Sequence, residues 1–164
     1  MAFHDDLLEQ AFDLVGRDAN QANLRRAVSA AYYAVFHLLI TEAVDALATE
    51  HPPALRARMR RAFAHADMVS VCRQFSSGGF PEHVRALLIE PIEPDLTFVA
   101  KMFVFLQEAR LIADYDMAMD FSLGNARLAV LRARGIFAVW SDIRRTPNAV
   151  TFLTALLLGK HWNR

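Results

Sequence analysis

The stretch LRRAVSAAYYAVFHLL, from Leu24 to Leu39, decides how this chain folds. At about 100° per residue, Ala27, Ala30, Ala31, Ala34 and Leu38 share one side of a helix, small enough for another backbone to approach closely. Val28, Tyr32, Val35, Phe36 and Leu39 make a bulky apolar side. Between them Arg26, Tyr33 and His37 fall within about 40° of one line. The segment therefore predicts a helix buried on two sides and carrying a single polar stripe. Two readings of that stripe stay open: the hydroxyl and the imidazole fix packing through hydrogen bonds, or they line a cleft with arginine at one end.

The rest of the chain carries the same period. No strand-like alternation lasts more than a few residues and no repeat of fixed length appears, so all predicted elements are helical. The first helix is expected from about His4 to Arg17 and the second from about Asn20 to Thr49. Pro52 and Pro53 end the second and start a third that continues to about Phe75. Ser76, Ser77, Gly78 and Gly79 break the chain, and a short helix follows from Pro81 to about Ile89. Pro91 and Pro94 make a second break. Long helices are then expected from about Asp95 to Met119 and from Ser122 to Arg144. Thr146 and Pro147 have the chemistry of an N-cap and a first helical residue, so a short extra C-terminal helix runs from Pro147 to Leu158 and ends at Gly159. The fold class is all-α, an up-and-down helical bundle, expected as a single domain over residues 1–164.

Composition bounds the function. The hydrophobic fraction of 54% exceeds the ordinary value of roughly 45–50% and suggests a subunit interface. The opening MAFHDDLLEQ is acidic where a signal peptide is basic and then apolar. The best uninterrupted apolar run, Ala149 to Leu158, falls short of the roughly 18–20 residues that span a bilayer, so no membrane is expected. Cys72 is the lone cysteine and has no C-x-x-C partner, which points to a cytoplasmic protein.

The net charge is zero but the charges are segregated. Arg56, Arg58, Arg60, Arg61, Arg73 and Arg85 face only Asp67 and Glu82 in their segment, and a second basic run closes the chain from Arg127 to Arg164. Arg58, Arg61 and His65 fall at i, i+3 and i+7 of the expected third helix, with Arg56 and Arg60 beside them. Arginines at a helix start oppose the macrodipole, so an acid or a phosphate is expected there. No metal is expected: Glu-x-x-His pairs are absent, and His37 with Glu42 or His65 with Asp67 are poorly spaced for one helix face. Gly78 and Gly79 lack the lysine and Ser/Thr of a phosphate loop, and an all-helical chain offers no nucleophile elbow. No cofactor is implied.

The words SAAYYAVFH (Ser29 to His37) and EARLIADYD (Glu108 to Asp116), with FAHADMVSVCRQF (Phe63 to Phe75) between them and Ala126, Ala133 and Phe137 after them, resemble the HEPN domain of prokaryotes over about residues 23–143. The resemblance implies a homodimeric helical bundle that binds RNA or a nucleotide within a toxin-antitoxin or defence system, beside a nucleotidyltransferase partner protein. It also implies a metal-independent endoribonuclease in those members that carry arginine, four to six residues and histidine. Here Tyr115 stands where the shortest form of that motif from Arg110 has histidine, and no histidine follows until His161. A phenol, ionising at about pH 10, is a poorer general base at pH 7 than imidazole. Arg60 and His65 match the spacing on an earlier helix than the family uses. The catalytic residues thus stay unknown, and binding is favoured over cleavage by a degenerate motif. On the resemblance Arg110 contacts phosphate, Tyr115 stacks or hydrogen-bonds, and Arg61, His65 and Arg58 add phosphate contacts, with Tyr33 and His37 in the same cleft. The alternative is a non-catalytic homodimeric protein-interaction module whose polar stripe is structural.

Overall fold

Eight α-helices and one 3-10 turn hold the described residues together, with no strand among them. The computed structural model describes residues 2–162; Met1, Asn163 and Arg164, the last a member of the basic closing run, lie outside the described residues. The helices are α1 (Phe3–Gly16), α2 (Gln21–Ala48), α3 (Pro53–Arg60), α4 (His65–Ser77), α5 (Glu82–Arg85), α6 (Pro94–Tyr115), α7 (Leu123–Ile143) and α8 (Pro147–Leu158), followed by the 3-10 turn Gly159–His161.

Helix starts follow local chemistry. Asn20 Oδ1 accepts from the Asn23 N–H at 2.9 Å, Ser122 Oγ from that of Asn125 at 3.0 Å, and Thr146 Oγ1 from that of Ala149 at 3.2 Å. Each satisfies one of the donors that a helix start leaves unpaired.

The chain divides into two compact units, residues 2–38 with 102–138 and residues 39–101 with 139–162, so that α2, α6 and α7 each contribute to both. In the first unit Ala27, Val28, Ala31, Tyr32, Ala34 and Val35 of α2 are fully buried, as the wheel predicted. The Tyr32 ring lies 5.6 Å from that of Phe103 on α6. His4 of α1 lies 5.7 Å from Phe137 of α7. In the second unit Phe75 of α4 sits edge-on to Phe152 of α8 at 4.9 Å, with Trp140 at 6.3 Å from the same ring. Buried Asn148 ties α8 to the chain after α5, accepting from the Ile89 N–H at 2.8 Å and donating to Ile89 O at 2.8 Å and to Glu93 at 2.9 Å.

Three boundaries differ from the sequence reading, each for a physical reason. The third helix is not continuous: Arg61 and Ala62 close α3 with bonds to Arg58 O and Met59 O, and Phe63 turns inward to burial. Since α3 buries no residue and α4 buries Met68, Val69, Val71, Cys72 and Phe75, one straight helix could not serve both surfaces. Arg58, Arg61 and His65 therefore do not form one helical stripe. Asp45 answers part of the arginine run instead, bonded to Arg56 and 4.0 Å from Arg60. Both cations and the acid are part-exposed, which keeps the pairs to about 0–1 kcal/mol.

The short fourth helix spans only Glu82–Arg85, because the backbone of Ile89 is taken by Asn148. The helix expected to reach Met119 stops at Tyr115, where Arg25 takes its last carbonyls and Asp116 Oδ1 accepts from the Ala118 N–H at 3.0 Å. α8 ends at Leu158 with Gly159 as its cap, as expected, but the glycine is helical, with φ −53° and ψ −35°, and not left-handed. A Cβ there would meet Val71 at 3.2 Å, so the glycine serves close approach to α4. Gly78, at φ 71°, is the left-handed cap.

Sequence inspection placed the most apolar run at Ala149 to Leu158. Among the described residues α2 is the one helix long and apolar enough to cross a membrane, and 72% of its most apolar window is buried within the protein.

Candidate functional site

An open cleft of about 730 Å³ lies in the first unit. Leu7, Gln10 and Leu14 of α1 form one wall; Arg26, Ser29 and Tyr33 of α2 and Asp114 and Tyr115 of α6 are among the residues facing them. The volume falls in the range of roughly 300–1,000 Å³ usual for small-molecule sites.

Three polar contacts set the geometry. Arg110 Nη2 donates to Tyr33 Oη at 2.6 Å. Its Nε stands 2.7 Å from Asp114 Oδ2, an ion pair one helical turn along, with the N–H itself off line for a hydrogen bond. Ser29 Oγ donates to Asp114 Oδ1, which joins α2 to α6 at a second point. The Arg110 side chain is only 14% exposed, and its guanidinium carbon lies 5.3 Å from the Tyr33 ring, 5.8 Å from Tyr32 and 5.6 Å from Tyr115. Burial works against the charge on Arg110, but the facing Tyr33 and Asp114 outweigh it and raise the guanidinium pKa above its ordinary value.

Arg25 fixes the edge of the cleft. Its guanidinium donates to Ile112 O at 3.3 Å, Ala113 O at 2.9 Å, Asp116 O at 2.9 Å and also to Met119 O, and stands over the Phe121 ring. A cation at the C-terminal end of α6 satisfies orphan carbonyls and complements the negative end of the macrodipole. Gln21 adds a reciprocal pair with the Phe121 backbone, both bonds at 2.9 Å. Arg26, the next residue, lines the cleft and has no hydrogen bond or ion pair among the described residues.

No family model, curated protein or solved structure matches this chain.

The residues singled out in the sequence are thus divided. Tyr33 and Tyr115 line the cleft, Tyr115 being 70% exposed, while Arg110 stands behind them as their support. His37, half-buried, stacks on Tyr33 at 6.4 Å and meets the edge of Phe3 at 5.0 Å outside the cleft lining. Arg58, Arg61 and His65 belong to the second unit and line no part of this cleft. Sequence reasoning missed Arg25, Ser29 and Gln10 as cleft residues, and saw Asp114 only as the one-turn partner of Arg110. Arg25 sits 100° from the polar stripe and its partners lie 87 to 94 residues away, so local spacing carried no sign of it. Asp114 stood inside the word EARLIADYD, where the one-turn spacing from Arg110 was visible but Ser29 was not.

None of the described cleft residues is a histidine or cysteine, and no group of three or more His, Cys, Asp or Glu able to hold a metal occurs among the described residues. What the arrangement offers is two tyrosine side chains, one uncommitted guanidinium and a carboxylate held in place on both oxygens.

Proposed function

We propose that this chain is a HEPN-like helical protein that binds a nucleotide or RNA through the cleft between α1, α2 and α6. The observation that carries the reading is the pairing of exposed Tyr115 and half-buried Tyr33 with uncommitted Arg26 in one cleft. Aromatic faces accept bases by stacking, worth about 1–3 kcal/mol per base, and a guanidinium takes phosphate in a bidentate grip. Arg26 is the phosphate contact in this reading, and Arg110 is the post on which both tyrosines lean. The sequence resemblance supports the wider setting, a homodimer in a prokaryotic toxin-antitoxin or defence system with a nucleotidyltransferase partner. Binding is preferred to ribonuclease action because the only described carboxylate in the cleft, Asp114, is already engaged by Arg110 and Ser29.

Calorimetric titration of wild type and Arg26→Ala with AMP, GMP, CMP and UMP tests this. At least one nucleotide should bind wild type, and Arg26→Ala should weaken it about tenfold, the value of one charge-assisted bond. Absence of binding by all four at millimolar concentration and by a mixed-sequence RNA of about ten nucleotides rejects the reading.

A second reading, the homodimeric protein-interaction module, is favoured by one observation. Phe105, Ala109 and Ile112 of α6 and Leu128 of α7 line an apolar groove of about 260 Å³ with Met119 and Phe121, and Met119 is 52% exposed. Light scattering of wild type against Leu128→Glu decides whether this groove is a subunit contact. A monomer in both removes that reading.

A further inference from the structure

The rim of the cleft is asymmetric in charge. On α1, one row beyond the cleft-lining Gln10 and Leu14, Asp6, Glu9 and Asp13 follow at i, i+3 and i+7 around an adjoining depression that shares those two residues. Arg17 is the one cation among them. Adjacent rows of a helix lie about 5–6 Å apart, inside the Debye length of about 8 Å at physiological ionic strength. The carboxylates therefore act on any charged group that leaves the cleft over α1.

The whole unit carries the same sign. Residues 1–38 and 102–138 hold nine carboxylates and seven arginines with no lysine, and Arg25 and Arg110 are committed to internal partners. An RNA strand gains affinity by meeting one cation after another along its backbone. Here the cleft offers a single uncommitted cation, Arg26, and then an acidic edge. We infer that the cleft is a mononucleotide site, in which the α1 carboxylates Asp6, Glu9 and Asp13 turn away the continuing phosphodiester chain of RNA. The inference rests on the nucleotide-binding reading above and narrows it to one ligand class.

The test compares the best of the four mononucleotides with a mixed-sequence RNA of about ten nucleotides, on wild type, on Asp6→Asn/Glu9→Gln/Asp13→Asn and on Glu9→Gln/Asp13→Asn. The double variant leaves Asp6 in the first turn of α1, where it favours the helix start, and guards against loss of folding in the triple variant. Wild type should bind RNA no more tightly than the mononucleotide. Neutralisation should raise RNA affinity about tenfold or more, with mononucleotide affinity changed less than about threefold. RNA binding to wild type at least about tenfold tighter than the mononucleotide, or an unchanged ratio in both variants, overturns the inference while leaving the nucleotide reading intact. Failure of every nucleotide and RNA to bind any of the three proteins overturns both.

Discussion

Nη2 of Arg110 on α6 donates a 2.6 Å hydrogen bond to the hydroxyl of Tyr33 on α2, 77 residues away in sequence. The same guanidinium pairs with Asp114 and lies against three tyrosine rings, so it is engaged within the protein. Arg110→Lys keeps the charge but cannot hold Tyr33 and Asp114 in one plane. The expected loss of stability is about 1.5–3 kcal/mol, the range for a hydrogen bond to a charged group, measured by urea unfolding. Unchanged stability with lost nucleotide binding would return Arg110 to direct contact with phosphate.

Tyr33→Phe removes the acceptor alone and retains the ring. Stability should fall by about 0.5–1.5 kcal/mol, with stacking of a bound nucleotide preserved. A double-mutant cycle with Arg110→Lys checks the assignment, because two changes to one bond must be strongly non-additive. Full additivity would mean that the contact contributes nothing.

Arg25→Ala strips the C-terminal end of α6 of its cap. The freed carbonyls face solvent in part, which limits the cost to about 1–3 kcal/mol. The clearer readout is local: amide exchange should accelerate over Asp116–Phe121, the segment that Arg25 and Gln21 hold. Exchange there as slow as in wild type would show that the clamp is dispensable.

Asn148 and Glu93 make a pH-sensitive pair in the second unit. Partial burial works against the Glu93 carboxylate, but the amide of Asn148, the Glu93 backbone N–H and Thr146 together hold its pKa below the usual carboxylate range. A folded pKa below the unfolded value, about 4.3, gives stability that is fully present above that value and lost as pH falls through the folded one. Asn148→Ala should flatten this acid-side slope and move the Glu93 titration, followed by NMR, upward. An unmoved titration contradicts the pairing.

Cys72 is fully buried, and burial pushes its thiol pKa well above the ordinary value. Alkylation by iodoacetamide at pH 8 should be negligible in the folded protein and complete in urea, followed by mass spectrometry. Rapid native labelling would show that α4 opens readily.

What was legible in the sequence was whatever obeys a local period. The two buried sides of α2, the Thr146–Pro147 start of α8 and the break at Gly78 follow from spacing and cap chemistry within a few residues. What was illegible depends on partners distant in the chain. Arg25 ends α6 early, Asn148 cuts α5 to one turn, and Phe63 splits the expected third helix by turning inward. Gly159 marks the end of α8 as its residue type suggested, but the nearness of Val71 to it was not visible. At the cleft, Arg26 and Tyr33 were visible on one stripe of α2, but the different surroundings of Arg26 and Arg110 were not. Arg110 finds one partner a helical turn along, Asp114, and a second on another helix, Tyr33, which local spacing did not show.

Backbone amide shifts on adding the best-binding mononucleotide test the central claim most directly. Saturable changes should centre on Arg26, Ser29, Tyr33, Asp114 and Tyr115, with Gln10 responding from α1 and the Arg56–His65 segment silent. Changes confined to Arg56–His65, or none at saturating nucleotide, would contradict a ligand site between α1, α2 and α6.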